Sequence, residues 1–377
     1  MNIAIIGTGY VGLVTGGALA HFGNRVQFYD VNEDKLAQLR KGQCPIYEPG
    51  LPELLNRCAS RISYHHTRNY KLRDKQNFSD IQDSSDVVFL CVSTPSSEDG
   101  SADLKALFSA AEEVAPHLDG HEPGSARVVR TVVAVKSTVP AGTCARLSDK
   151  VINTDDLVDR RGFVPVLSCP EFLKEGDAVR DALRPDRVVV GTERGPFGDL
   201  CSDTLARLYA PFVRAPEQIL FVSRESAEIG KYTANAQLAT RVTIMQEVAR
   251  LCNAVPHADV DEVRRVVGTD ERIGSAFLYA GCSWGGSCFG KDLQSLARQL
   301  DAKNDDGDFF REIAAVNAMH RQWFCDVVLS ALADETSKRV AVWGLSFKPN
   351  TDDVRDAVSL DLIRALRLAG HEVAAYD

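Results

Sequence analysis

The sequence predicts an α/β protein: an amino-terminal doubly wound sheet, a helical middle built on one long connecting helix, and a second, truncated α/β unit at the carboxyl end. Three observations predict it. A short apolar run, a glycine turn, a helix, a second strand and an acid follow one another over residues 2–30. A proline-free stretch runs from Glu225 to Asn253, the length of a single long helix. Strand, helix and strand recur over residues 338–376. The domain boundaries this implies are 1–212, 213–325 and 335–377.

The first module begins with Asn2 to Ile6, a buried-type strand, followed at once by Gly7-Thr8-Gly9-Tyr10-Val11-Gly12. Leu13 to Phe22 then reads as a helix, with small residues at Gly16, Gly17, Ala18 and Ala20 that permit close packing. Arg25 to Tyr29 is the second strand, ending at Asp30. Each glycine has a task in a Rossmann-type turn. Gly7 permits the tight bend, Gly9 leaves room for a pyrophosphate, and Gly12 lets the helix lie against the strand. The helix N-terminus offers free N–H groups and positive dipole to phosphates. Asp30, 18 residues past Gly12, is placed to bond ribose hydroxyls and would repel a 2′-phosphate, which favours NAD over NADP. Tyr10 and Val11 in the turn, and Lys35 beyond the acid, fall on the cofactor side.

Asp86 to Val92 continues the sheet and delivers Thr94 at its carboxyl end, where ligands of such sheets bind. Val132 to Val135 ends in Lys136-Ser137-Thr138, and Phe163 to Leu167 ends in Cys169-Pro170-Glu171. Pro165 assigns the last of these to a sheet edge. Thr94 and Thr138 are candidates for the site, with turn capping as the ordinary alternative.

In the middle segment Lys231 and Asn235 are four apart and share a helix face, whether as a solvated pair on a connector or as part of a cleft. The sharpest stretch is Gly281-Cys282-Ser283-Trp284-Gly285-Gly286-Ser287-Cys288-Phe289-Gly290-Lys291-Asp292. Its glycines let backbone crowd a ligand. A helix starting near Cys288 would put Asp292 on the same face and favour the thiolate, the nucleophilic form. The other nine cysteines read as packing residues.

Composition narrows the classes. Hydrophobic residues make 45% and charged residues 25%, an ordinary globular balance. No apolar run spans a bilayer, and the amino terminus reads as a strand rather than a signal peptide. A net charge of −9 argues against nucleic acid or an anionic membrane as the main partner. Ten cysteines without a CxxC pair give no zinc-ribbon or thioredoxin pattern, suggest no metal, and fit a reducing cytoplasm.

Taken together, these residues resemble the UDP-glucose/GDP-mannose dehydrogenase family. The pieces are GTGYVG at the start, PIYEPGL at 45–51, VSTP at 92–95, KSTVPAGT at 136–143, CPEFLKEG at 169–176, KYTANAQLAT at 231–240, ERIGSAFL at 271–278, WGGSCFGKD at 284–292 and GLSFKPNTDDVRD at 344–356. They follow the family's order over nearly the whole chain. The resemblance implies a four-electron, NAD-dependent oxidation of a nucleotide sugar at C6, with UDP-glucose going to UDP-glucuronate. GDP-mannose and UDP-N-acetylmannosamine are alternative substrates.

It also implies residue roles. Cys288 is the nucleophile that passes through a thiohemiacetal and a thioester. Lys231 and Asn235 stabilise oxyanions, Asp292 with Lys231 orders a water, Thr138 bonds that water, and Glu171 activates the hydrolytic water. Glu175 and Lys291 lie on the cofactor side. Phe172, Leu173 and Lys174 form a substrate loop, with Phe277 and Gly285 also on the substrate side. Arg272 reaches a neighbouring subunit's sugar site, and Phe347, Lys348 and Arg355 lie near the nucleotide. A homodimer through the central helix is implied too.

The chain departs from the pattern at Gln237, usually apolar, at Arg241, often lysine, and at its end, beyond which family members continue. Lys338 to Val342 is a strand, Leu360 to Leu368 a helix closed by Gly370, and Glu372 to Tyr376 a strand. One such unit buries little, so a truncated domain that binds NAD with weak or no turnover is the expectation. Two rival readings are a silent dinucleotide-binding protein, against which Cys288, Lys231, Asn235 and Asp292 argue, and a hydroxyacid dehydrogenase of the 6-phosphogluconate type, which needs no cysteine.

Overall fold

The structure, a computed structural model, describes residues 1–67, 86–118, 120, 131–193, 195–335 and 338–377. They form two compact units. One comprises residues 1–97 and 102–231, the other 98–101 and 232–377.

The first unit is built on an eight-stranded sheet. Its strands are β1 (Asn2–Ile6), β2 (Arg25–Asp30), β3 (Ile62–His66), β4 (Val87–Leu90), β5 (Val132–Val135), β6 (Val166–Ser168), β7 (Val188–Thr192) and β8 (Ile219–Ser223). Their spatial order is β3-β2-β1-β4-β5-β6-β7-β8. Pairing is parallel except between β6 and β7. The order reverses between β1 and β4, the switch point where ligands of such sheets bind.

The alternation along the strands sorts their side chains into two cores. Ile3, Ile5, Val26, Phe28, Phe89 and Ala134 pack on one face. There they meet helix α1 (Tyr10–His21), α3 (Leu51–Arg57) and α8 (Pro196–Tyr209) through Leu13, Leu54 and Leu205. Ala4, Ile6, Val88, Leu90, Val133 and Val135 pack on the other. Their partners include α4 (Lys105–Val114) and α5 (Thr143–Leu147), through Leu107 and Leu147. Because both faces of the middle of the sheet are covered, β1, β4 and β5 read as nearly continuous apolar runs.

One sequence expectation changes here. Pro165 does not mark an edge. β6 begins one residue later and lies between β5 and β7, while Pro165 offers only its carbonyl, which accepts from Val133 N at 2.9 Å. A proline just ahead of a strand needs no donor of its own. The sheet also takes its last strand from residues 219–223, past the expected boundary at 212.

The remaining helices of this unit are α2 (Glu33–Arg40), α6 (Asp155–Arg161) and α7 (Ala178–Leu183). Helix α9 (Arg224–Ala254) follows β8 and runs on into the second unit. There it is joined by α10 (Val260–Gly268), α11 (Phe289–Asp301) and α12 (Asp308–Ala331). Tyr232, Ala236, Ala239, Trp284, Leu293, Leu296 and Ile313 form a core among α9, α11 and α12. The chain then makes a parallel pair, β9 (Arg339–Trp343) and β10 (Glu372–Tyr376), connected by α13 (Val358–Leu368). Gly370, at φ +84°, turns the chain off that helix. Gln237 is exposed, which explains how a polar residue is tolerated there.

Candidate active site

The glycine turn is as tight as its motif demands. Gly7 has φ +103°, and a Cβ there would stand 2.8 Å from the Cys91 carbonyl oxygen. A Cβ on Gly12 would lie 1.9 Å from the Gly7 carbonyl oxygen, whereas Gly9 faces open space, with nothing within 4 Å of a Cβ. The backbone is therefore crowded on the sheet side and clear at Gly9, the place a pyrophosphate requires. Helix α1 starts at Tyr10, with Val11 and Gly12 in its first turn and no side chain capping its free N–H groups.

Asp30 stands at the end of β2. Its carboxylate accepts from Thr8 N at 2.8 Å, Thr8 Oγ1 at 2.6 Å and Asn32 N at 2.9 Å, with Lys35 Nζ at 4.0 Å. Burial raises its pKa, but the bonds from Thr8 and Asn32 and the charge of Lys35 prevail and hold it below the usual carboxylate value. An ionised acid at this position suits ribose hydroxyls, so these residues fit NAD.

At the carboxyl ends of β4 and β5, Thr94 Oγ1 donates to Thr138 O at 2.7 Å, and Ser137 Oγ donates to Val92 O at 2.6 Å. The two threonines proposed from sequence are thus brought together, with Thr94 buried and Thr138 half-buried.

The loop after β6 carries Glu171 to Glu175. Glu171 Oε1 pairs with Lys231 Nζ at 2.9 Å, the two side chains being 12% and 6% exposed, and Oε2 accepts from Leu173 N at 2.6 Å. Burial raises the Glu171 pKa, yet Lys231, the Leu173 N–H and Lys136 bring it below the ordinary value. Phe172 lies under two cations: Arg187 at 3.8 Å and Lys231 at 5.4 Å from its ring centre. Lys174 points elsewhere, into an exposed pair with Asp181 at 2.8 Å. Glu175 is close enough to Tyr10 that its charge helps raise the phenol, whose main perturbation is burial.

In the second unit, Cys288 is the N-terminal capping position of α11 and is exposed. Asp292 lies one turn along, its amide donating to Cys288 O at 2.9 Å. That carboxylate is buried, and it accepts from Asn235 Nδ2 and from Lys291 Nζ, each at 2.5 Å. Asp292 is thus held by Asn235 and Lys291, while the carboxylate paired with Lys231 is Glu171.

Two of the glycines before Cys288 pack against the protein's own chain, while Gly281 faces open space. A Cβ on Gly285 would lie 2.3 Å from Asp356 O, and one on Gly286, at φ +81°, would lie 3.0 Å from the Phe347 ring. The crowding partner is the chain's own 347–356 segment. There Lys348 sits over Phe347 at 5.5 Å, and Arg355 forks onto Asp353. Arg272 is exposed and forks onto Asp270 rather than joining this group. Phe277 holds a left-handed φ of +59° beside Tyr279.

Several buried polar residues went unselected in the sequence. Glu48 accepts from the Tyr10 hydroxyl, from Gly176 N at 2.6 Å and from Ala178 N at 2.7 Å, tying the glycine turn to the 171–178 loop. Lys136 Nζ donates to Cys169 O at 3.2 Å and Pro170 O at 3.4 Å. Glu228, one turn before Lys231, accepts from Gly142 N at 2.6 Å and Cys144 N at 2.8 Å, and burial raises its pKa. All but Glu228 lie in motifs that the sequence shows, yet a motif does not say which of its members is buried and bonded. Among the described residues no cluster of three or more histidine, cysteine or acidic side chains could hold a metal. No described helix is long and apolar enough to cross a membrane.

Residues 1–213 match the model of the UDP-glucose/GDP-mannose dehydrogenase family, NAD binding domain, residues 225–319 its central domain, and residues 341–377 its UDP binding domain. The chain is 41% identical to the UDP-glucose 6-dehydrogenase of Pseudomonas aeruginosa, over all of this chain and 79% of that one. It is 39% identical to that of Rhizobium meliloti, over all of this chain and 81% of that one. A solved UDP-glucose dehydrogenase from the archaeon Pyrobaculum islandicum superposes with a TM-score of 0.81 at 32% identity, covering 99% of this chain and 81% of the other.

Proposed function

The chain belongs to the UDP-glucose/GDP-mannose dehydrogenase family, and we propose that it oxidises the C6 alcohol of UDP-glucose to the carboxylate of UDP-glucuronate through a thioester on Cys288. It is an NAD-dependent nucleotide-sugar dehydrogenase. NAD, when bound, takes up one hydride at each of the two oxidation steps. The glycine turn and the N-terminus of α1 would hold its pyrophosphate, Asp30 its ribose, and Thr94, Thr138 and Glu175 the side facing the sugar.

The chain's own groups do the rest. The alcohol loses its proton and a hydride to give the aldehyde, and the Cys288 thiolate adds to C6 to form a thiohemiacetal. Loss of the second hydride and the hydroxyl proton leaves a thioester. Water attacks the acyl carbon, the C–S bond breaks, and thiolate and carboxylate separate. Lys231 and Asn235 stabilise the oxyanion at each tetrahedral stage. Asp292 and Thr138 orient the water, and Glu171 takes its proton. Phe172 and Leu173 line the sugar, with Phe277; Phe347, Lys348 and Arg355 meet the nucleotide, and Arg272 serves a neighbouring copy.

The reading rests above all on one observation: an exposed thiol at a helix N-terminus, one turn from a buried carboxylate that binds Asn235 and Lys291. Exposed Ile244, Leu251 and Val255 along α9 and its end support pairing of two copies through that helix. The ten cysteines, none in a disulfide, support a reducing cytoplasmic setting.

A panel of UDP-glucose, GDP-mannose and UDP-N-acetylmannosamine with NAD, scored for acid by mass and for NADH per sugar, tests the proposal. UDP-glucose should turn over best, with two NADH per sugar. Cys288→Ala should abolish acid formation and keep NAD affinity. Acid formation by Cys288→Ala at the wild-type rate would refute the covalent route.

A further inference from the structure

None of the chemistry above uses α12, yet one of its side chains joins the two stretches of chain on which the site depends. Arg321 is 14% exposed in its side chain. Nε donates to Ser283 Oγ at 3.0 Å. One terminal nitrogen, Nη1, donates to Asp356 Oδ1 at 2.6 Å and Asp361 Oδ2 at 3.0 Å. The other, Nη2, donates to Trp284 O and to Asp356 O, both at 3.1 Å. A guanidinium has five N–H groups, and here each has an acceptor. Only arginine carries that fork, and a lysine could satisfy fewer of these acceptors.

Those acceptors come from two places. Ser283 and Trp284 are the start of the loop that ends at Cys288. Asp356 and Asp361 belong to the stretch matching the UDP binding domain. Backbone contact between the same two stretches is direct as well: Gly286 N donates to Arg355 O at 2.9 Å, and Gly285 has no room for a side chain against Asp356 O.

Asn317, one turn earlier on α12, holds Trp284 independently. It accepts from Trp284 N at 2.9 Å and donates to Trp284 O at 3.0 Å, while Gln246 Nε2 donates to its oxygen at 3.0 Å. The loop is therefore anchored to α12 by Asn317 and cross-linked to the 356–361 segment by Arg321.

We propose that Arg321 is a positioning residue that links occupancy of the nucleotide-binding segment to the placement of the Cys288 thiol. The proposal rests on the reading of Cys288 as nucleophile and of residues 347–356 as the nucleotide side. A nucleoside diphosphate that draws on Phe347, Lys348 or Arg355 shifts the turn ending at Asp356. Through Arg321 the shift passes to Ser283 and Trp284, and so to the sulfur.

The test follows the rate at which iodoacetamide alkylates Cys288, read by peptide mass, with and without UDP. UDP is the probe because it carries the nucleotide but no C6 to react. UDP should change the wild-type rate about five-fold or more, the low end of ordinary coupling between sites. Arg321→Lys should remove that dependence while UDP still binds by calorimetry and NAD affinity is unchanged. Asp356→Asn, which leaves the arginine in place and weakens the same link, is the second variant should the first fold poorly, and should reduce the dependence.

Simple shielding of the thiol by UDP would persist in both variants, and its persistence would overturn the proposal. So would a wild-type rate indifferent to UDP, or loss of UDP binding in both variants, which would place Arg321 in the nucleotide site itself. If instead Cys288→Ala still makes acid, the covalent route fails, while the link between UDP and this thiol's reactivity stays measurable.

Discussion

Alanine at Gly12 and alanine at Gly9 should behave as opposites, although both alter the same six-residue turn. At Gly12 the new Cβ would meet a backbone oxygen, that of Gly7, at 1.9 Å, more than 1 Å closer than real contacts allow. That oxygen cannot swing aside. Gly7 is fixed by its own bond to Tyr29 O at 2.8 Å and by its confinement against the Cys91 carbonyl. Helix α1 must then lift from β1, disturbing the fit of Gly16 against Phe28, where a Cβ would already stand 2.3 Å from the ring.

Overpacking of this kind costs about 1–3 kcal/mol, or roughly 2–12 °C in melting temperature for a unit of this size. The displaced helix N-terminus should also lower NAD affinity. At Gly9, with φ −75° and open space ahead, alanine adds no clash. The small entropic gain and the weaker helix cap nearly offset, leaving stability within about 1 kcal/mol. Its methyl group would nonetheless occupy the pyrophosphate's approach, and NAD affinity should fall about ten-fold or more. Thermal melts and NAD titrations on both variants decide. Wild-type NAD binding in Gly9→Ala would show that the pyrophosphate does not cross there, and a wild-type melt in Gly12→Ala would contradict the packing.

Alkylation of the native protein at pH 8 should label Cys288 first; Cys91 and Cys201, each pushed up to about 12 by burial, carry roughly one thiolate in ten thousand and should stay unlabelled until the chain unfolds. Early labelling of Cys91 would contradict its burial. Glu171→Gln should lose about 2 kcal/mol at pH 7, the worth of a hydrogen bond to a charged group. Because the folded pKa of Glu171 lies below its unfolded value near 4.5, the wild-type advantage is present above that pH and is lost as pH falls through the folded pKa. Urea melts at pH 7 and pH 4 should therefore show the gap narrowing, and a gap that widens would reverse the sign of the argument.

Local patterns carried most of the fold. The strand, glycine turn, helix and acid over residues 2–30 were legible because each constraint is short-range: a φ, a close approach, an alternation. The helix through Lys231 and Asn235 and the β9–α13–β10 unit were legible for the same reason. The β6 position misled, since Pro165 next to a strand cannot be told by spacing from Pro165 within one. β8 was missed because Leu220, Phe221 and Val222 sit in a five-residue strand just before a helix, with exposure rather than alternation as their pattern.

The sequence shows the motif members of the candidate site and hides their pairings. Nothing near Glu171 in sequence announces Lys231 as its partner, 60 residues on, and Arg321 reads as one more cation on a helix. Such pairs exist only once tertiary packing has removed the competing water.

The Glu48 carboxylate has a consequence of its own. It draws a donor from the first residue of α1 and two more from Gly176 and the first residue of α7, 128 and 130 positions further along the chain. The glycine turn, shaped to take a pyrophosphate, and the segment after β6 are thereby riveted together before any ligand arrives. A cofactor meeting such a frame has little ordering left to impose on it, and a shorter acid at 48 would unfasten both sides at once.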